Sequence, residues 1–226
     1  MQKRHTFETT LTRRASLGYL LYLPKGYDAN AAKQWPLMLF LHGAGERGSD
    51  VAKVAVHGPP KLVKQGREFP FILVSPQCPA GETWNSEVLL ALLDDVIARH
   101  KVDTSRVYLT GLSMGGYGSW ALAARHPERF AAVAPICGGG NTIDVLLGSR
   151  DPGRGPALKA LPVWAFHGAK DTVVPLNESE RMISTFKRMG NTGVKLTVYP
   201  EAQHDSWTET YNNQELYDWF LSHARK

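Results

Sequence analysis

The 226 residues are 43% hydrophobic and 21% charged, ordinary proportions for a globular chain with one substantial core, and no apolar stretch is long enough to span a membrane. The formal charge of +5 arises from 26 basic residues scattered among 21 acidic ones, with no nucleic-acid motif beside them. Cys78 and Cys137 are the only cysteines, too few for a disulfide framework; no cluster of His, Cys, Asp or Glu has metal-ligand spacing, and neither a metal nor another cofactor is expected.

At the N-terminus, residues 6–12 and 15–23 read as a strand pair joined tightly at Arg13 and Arg14. The same arginines, the apolar run ASLGYLLYL and Ala29-Asn30-Ala31 imitate a signal peptide with its cleavage site. The run is short, contains tyrosine, starts well inside the chain and leads into the turn PKGYD, which argues against export by this segment. The expected location is cytoplasmic, or secreted if the chain is cut from a longer precursor.

Six further apolar runs follow: PLMLFLHG (36–43), FILVSPQ (71–77), RVYLT (106–110), AAVAPICGG (131–139), PVWAFHG (162–168) and KLTVYP (195–200). Helical patterns lie between and after them, over 60–65, 86–100, 114–126, a short piece near Leu158, 177–189 and 213–223. Runs that are apolar throughout, rather than alternating, predict strands buried on both faces, and strands alternating with helices predict a parallel sheet. The expectation is one α/β domain over 1–226 with eight strands, the first pair antiparallel. In that order Cys78 and Cys137 end the fourth and sixth strands, three inter-strand steps or about 14 Å apart, beyond disulfide reach.

The fifth strand runs into LTGLSMGGYG, residues 109–118. A strand that becomes a helix within a few residues strains the backbone, and Gly111 and Gly115 flank Ser113 where a Cβ would clash. G-L-S-M-G is the nucleophile-elbow spacing, which lifts a serine hydroxyl above the carboxyl edge of a sheet. A serine needs a base and an orienting acid to act. HGAKDTVVP places Asp171 just past the seventh strand, and YPEAQHDSW places His204 just past the eighth, on the edge that carries Ser113. The order Ser, Asp, His is the one this elbow is found with. Met114 N–H and Ala44 N–H, the latter in HGAGERG after the third strand, are the expected oxyanion donors.

Rivals for these roles are weaker. His126, His100 and His223 end helices, His5 and His57 lie off the strand ends, and His42 and His167 each precede a glycine where an imidazole pins a loop. Asp144, after the sixth strand, competes for the acid role, while Asp205 is adjacent to the histidine it would have to face.

LFLHGAGERG, VDTSRVYLTGLSMGGYGSWALAARHPERFAAVAPICGG, HGAKDTVVP and HDSWTETYNNQELYDWFLSH together resemble the small serine esterases of the α/β-hydrolase superfamily. Within it the chain is similar to the group called predicted peptidases or phospholipase/carboxylesterase-like, related to feruloyl esterases and to prolyl-oligopeptidase catalytic domains. The resemblance covers nearly the whole chain and implies the triad Ser113, Asp171 and His204 with Ala44 and Met114 as oxyanion donors. In dienelactone hydrolases the elbow carries cysteine, and this chain has serine. Only 138–160 is available for a lid, so no large one is expected, and the cleft should suit small-molecule esters of short-chain or aryl acids, hydroxycinnamoyl esters among them. Trp84 and Trp207 are candidate walls. An acyltransferase or thioesterase would use the same triad; a peptidase would call for a propeller that has no room here, and a binding module would be expected to lack a triad member. The oligomeric state is left open.

Overall fold

The computed structural model describes residues 2–12, 14–29 and 32–225. Arg13, Asn30 and Ala31, on which parts of the N-terminal reading fall, lie outside them.

The described residues form one seven-stranded sheet of β1 (Tyr19–Tyr22), β2 (Trp35–Leu41), β3 (Ile72–Pro76), β4 (Val102–Leu112), β5 (Ala132–Ile136), β6 (Val163–Gly168) and β7 (Val194–Tyr199), in the order β1-β3-β2-β4-β5-β6-β7. β1 runs antiparallel to β3, and every other pairing is parallel. The expected eighth strand is missing: residues 6–12 are exposed and make no ladder, and only 19–22 of the predicted 15–23 pair. An alternating sequence marks a possible strand, but a strand exists only where another backbone accepts its hydrogen bonds.

The central runs, on β2, β3, β5, β6 and the end of β4, are buried on both sides, as their continuity predicts, whereas the 195–200 run forms the edge strand β7, which is only partly buried. Along β2, Leu37, Leu39 and Leu41 enter one core with Leu89, Leu93, Trp120 and Phe186, whereas Met38 and Phe40 enter the other with Tyr211, Leu216 and Phe220. The first core is covered by α2 (Ser86–Arg99), α3 (Met114–Arg125), α4 (Thr142–Gly148), α5 (Arg154–Ala160) and α6 (Asn177–Arg188). The second is covered by α1 (Gly58–Lys64), α7 (Trp207–Asn212) and α8 (Gln214–Leu221). In α2, Asn85 caps the start by accepting from Val88 N–H at 3.1 Å, and Leu89, Leu93 and Val96 recur on the buried face.

Two helices were absent from the sequence reading. α4 and α7 have seven and six residues, too short to hold themselves, and stand only because neighbours cover them. With α4 and α5 in it, the 138–160 segment is a pair of short helices and not a large lid. No helix among the described residues is long and apolar enough to cross a membrane.

Candidate active site

The fourth strand in space, β4, ends at the centre of the sheet, and Ser113 stands between it and α3 at φ 53°, ψ −116°. A non-glycine residue there is strained, by about 1–3 kcal/mol, and is held only by its surroundings. The flanking glycines permit it. A Cβ on Gly115 would come within 1.9 Å of Leu41 O, and one on Gly111 within 2.5 Å of Gly115 O, so α3 can start this close to the sheet only without those side chains.

Loops from two other strand ends converge on the serine. His204, after β7, lies with Nε2 3.0 Å from Ser113 Oγ, and its Nδ1 is 2.7 Å from Asp171 Oδ2. Asp171, after β6, has a fully buried side chain whose Oδ1 accepts from Val173 N–H and Val174 N–H, both at 2.9 Å. Burial pushes its carboxyl up, but the hydrogen bonds from His204, Val174 and Val173 outweigh this and hold it below the ordinary aspartate value. Because folding lowers that pKa, ionised Asp171 stabilises the fold at pH above its unfolded value of about 3.9. The contribution is lost as pH falls through the folded value.

Asp144 is not in this line. It sits in the first turn of α4 and accepts from Arg125 Nε at 3.0 Å. Asp205 accepts from Thr208 instead of facing His204.

Met114 is the first residue of α3 and Ala44 the first of a 3₁₀ turn over Ala44–Glu46, so neither N–H has an intrahelical acceptor. The Ala44 loop is pinned from several sides. Arg47 Nε donates to Ala44 O at 2.9 Å, and Gln77 Nε2 donates to Glu46 O and Asp50 O at 2.8 and 2.7 Å. Cys78 N–H donates to His42 Nε2 at 3.0 Å, and His42 Nδ1 lies 2.6 Å from Gly43 O. Burial lowers the pKa of His42, in keeping with a neutral ring that accepts at Nε2.

Beside Ser113 opens a cleft of about 720 Å³, lined by Trp84, Met114, Tyr117 and two ion pairs. These pairs are Arg125 with Asp144, and Arg181 with Glu178 at 2.7 Å. Trp84 therefore lines the cleft, fixed by its Nε1 donating to His42 O at 3.1 Å. Trp207 does not line it. Its ring stands edge-on to His204 and to His57, both at 5.3 Å, and borders a separate cavity of about 170 Å³.

Several neighbours of the site carried no sequence signal. Tyr117, Arg181 and Glu178 are helix-surface residues until α3 and α6 converge on the cleft. Glu46 stands 3.8 Å from His42 Nδ1 and 3.9 Å from His57 Nε2, with its Oε2 buried and unpartnered among the described residues. Cys137, at φ 41°, places Sγ 3.3 Å from Ser113 N–H, and burial pushes its thiol up to about 12. Burial also raises the pKa of Cys78. Both cysteines are buried and free, so iodoacetamide at pH 8 should leave both unmodified in the native protein and alkylate both in denaturant. Rapid native labelling read by mass spectrometry would contradict this. Among the described residues no group of three or more His, Cys, Asp or Glu could hold a metal ion.

Comparison with known proteins is consistent with this geometry. The chain is 29% identical over 210 residues to "Poly(3-hydroxyalkanoate) depolymerase C" of Paucimonas lemoignei, covering 75% of this chain and 48% of the relative. It is 31% identical over 173 residues to "Probable feruloyl esterase C" of Aspergillus terreus, covering 74% and 60%. The chain thus spans between about half and three-fifths of the length of these curated relatives. A solved structure titled a thermostable esterase superposes with a TM-score of 0.73 at 31% identity, covering 92% of this chain and 60% of the other. The profile of the "Dienelactone hydrolase family" matches residues 3–218, so the elbow serine, which separated this chain from dienelactone hydrolases in the sequence reading, does not place it outside their family. With that match running over nearly its whole length, the chain belongs to the Dienelactone hydrolase family, an α/β-hydrolase family whose homologues here are named esterases and hydrolases.

Proposed function

We propose that this chain is a serine carboxylesterase that hydrolyses short-chain or aryl carboxylic esters, hydroxycinnamoyl esters among them, through an acyl-enzyme. The observation that carries the proposal is the unbroken hydrogen-bond line from Ser113 Oγ through His204 to the buried carboxylate of Asp171. In this reading His204 Nε2 takes the Ser113 proton as Oγ attacks the ester carbonyl, and Asp171 holds the ring with Nδ1–H toward Oδ2. The oxyanion of the tetrahedral intermediate is received by Ala44 N–H and Met114 N–H. The alcohol leaves with the proton returned by His204, and a water activated by the same nitrogen releases the acid.

The substrate class follows from the cleft. It is open, has no large lid above it, and sets Trp84 and Tyr117 beside polar ion pairs, which suits a short or flat acyl group better than a long flexible chain. The name of the feruloyl esterase relative points the same way.

A panel of nitrophenyl esters of graded acyl length and methyl hydroxycinnamates tests the proposal. The highest kcat/KM should fall on acetyl to butyryl or on hydroxycinnamoyl esters, decline with longer chains, and survive exhaustive chelation. Absence of turnover on every ester, or a loss on chelation restored by one added metal, would overturn it.

A further inference from the structure

His167 belongs to the HGAKDTVVP segment, and the triad reading gives it no task. Its side chain is fully buried. Nε2 lies 2.8 Å from Val174 O and 3.3 Å from Asp171 Oδ2. Both neighbours are acceptors, so this nitrogen holds a hydrogen; it donates to Val174 O, and Asp171 Oδ2 lies beside that bond. Nδ1 lies 2.8 Å from Ser179 Oγ on α6, and Ser179 Oγ donates to Gly138 O, after β5, at 2.9 Å. The imidazole therefore ties together the loop after β6, the first turn of α6 and the loop after β5.

The Asp171 carboxylate then faces N–H groups on both oxygens. Val173 and Val174 supply Oδ1, while His204 Nδ1 and His167 Nε2 stand at 2.7 and 3.3 Å from Oδ2. No part of the Asp171 or His167 side chain is accessible, so solvent cannot replace a donor that is removed. His167 also holds Val174 from its carbonyl side, and Val174 N–H is one of the two donors to Oδ1.

We propose that His167 is a positioning residue for the acid of the triad: its Nε2–H holds Val174, a donor to Oδ1, through the Val174 carbonyl, and the same ring edge stands beside Oδ2, fixing the Asp171 carboxylate against His204 and offsetting part of the Oδ2 charge. The inference rests on the serine esterase reading given above. Removing the donor should have two separable effects. The carboxylate loses a fixed orientation, which lowers kcat, and its undivided charge favours the protonated form of His204, which moves the acidic limb of the kcat/KM profile to higher pH.

The other titratable groups around the pair come from every packed element. Burial raises the pKa values of Tyr117 on α3 and of Cys137 after β5, so both stay neutral across the working range. Glu178 on α6 is paired with Arg181 at 2.7 Å, and Asp205 follows His204 and accepts from Thr208.

The test compares His167→Leu, His167→Asn and His167→Gln in the whole chain, with rates per active site counted by a phosphonate that labels Ser113. The leucine variant removes both ring nitrogens, the asparagine amide reaches only the place of Nδ1, and the glutamine amide reaches that of Nε2. His167→Leu and His167→Asn should lose about 10²-fold in kcat with little change in KM. Their acidic limb should move up by about half a pH unit or more. His167→Gln should recover most of both. If the leucine variant does not fold, the comparison of asparagine with glutamine decides alone. Asparagine and glutamine variants with equal kcat and an unmoved limb overturn the proposal. Absence of phosphonate label at Ser113 in the unaltered protein would instead overturn the esterase reading.

Discussion

Ser113→Ala should leave a folded protein whose turnover of a short nitrophenyl ester is about 10⁶-fold below that of the unaltered chain, or about 8 kcal/mol at 1.36 kcal/mol per decade. The size follows from the absence of a substitute nucleophile. Cys137 is the nearest thiol, but it is buried and its pKa is raised to about 12, so no thiolate is present to attack. The oxyanion donors and the cleft remain, and these alone should keep the variant about 10³- to 10⁴-fold above the reaction in water. The same position carries a signed prediction about stability. Alanine keeps the strain of φ 53°, whereas glycine adopts that angle freely, so Ser113→Gly should be equally inactive yet melt higher than Ser113→Ala. Calorimetry of the two variants checks the second statement, and rates near those of the unaltered chain in either variant would overturn the first.

Asp171→Asn should cost about 10⁴-fold in kcat, or about 5 kcal/mol, while Asp144→Asn stays within about tenfold. An amide at 171 can still accept from Val173 and Val174 through its oxygen, which turns its N–H₂ toward His204 Nδ1. That stabilises the wrong tautomer of the imidazole, with hydrogen on the nitrogen that must accept from Ser113. Asp144, by contrast, is engaged with a half-exposed arginine at the cleft wall, where its loss changes a surface ion pair of small worth. Matched circular dichroism spectra separate a catalytic loss from a folding loss. A crippled Asp144→Asn beside a nearly normal Asp171→Asn would transfer the acid role while leaving Ser113 and His204 in place.

The strand runs were legible because burial on two faces writes itself into the chain as unbroken apolar stretches, and the predicted 36–43, 71–77 and 162–168 fall on β2, β3 and β6 within a residue or two. The elbow was legible because its glycines are a steric requirement that few other contexts impose. Residues 6–12 show the limit of the same logic. Their pattern fits a strand, but pairing is a property of two segments, and the second, 19–22, pairs with β3 instead. α4 and α7 illustrate it from the opposite side, since six or seven residues carry too little periodicity to announce a helix that packing alone sustains.

For the site, the sequence by itself determined which residue types end which strands: a serine after β4, an aspartate after β6, a histidine after β7, and a glycine loop after β2. Parallel strands bring all their carboxyl ends to one edge, so these four could be placed together before any distance was known. The sequence already preferred Asp171 to Asp144 as the acid, but only the tertiary structure shows that the Asp171 carboxylate is aimed at His204 while Asp144 is taken by Arg125. It also separated Trp84, in the cleft, from Trp207, behind the imidazole. Cys137 reaches the site through its backbone angle and a contact with Ser113 in another strand's loop, while Glu46 and His167 lie four residues from His42 and Asp171 and meet them only through the directions in which their side chains are packed. Such contacts leave no local pattern, since any one of these residues would look the same in its own segment whether or not the other strands had gathered around it.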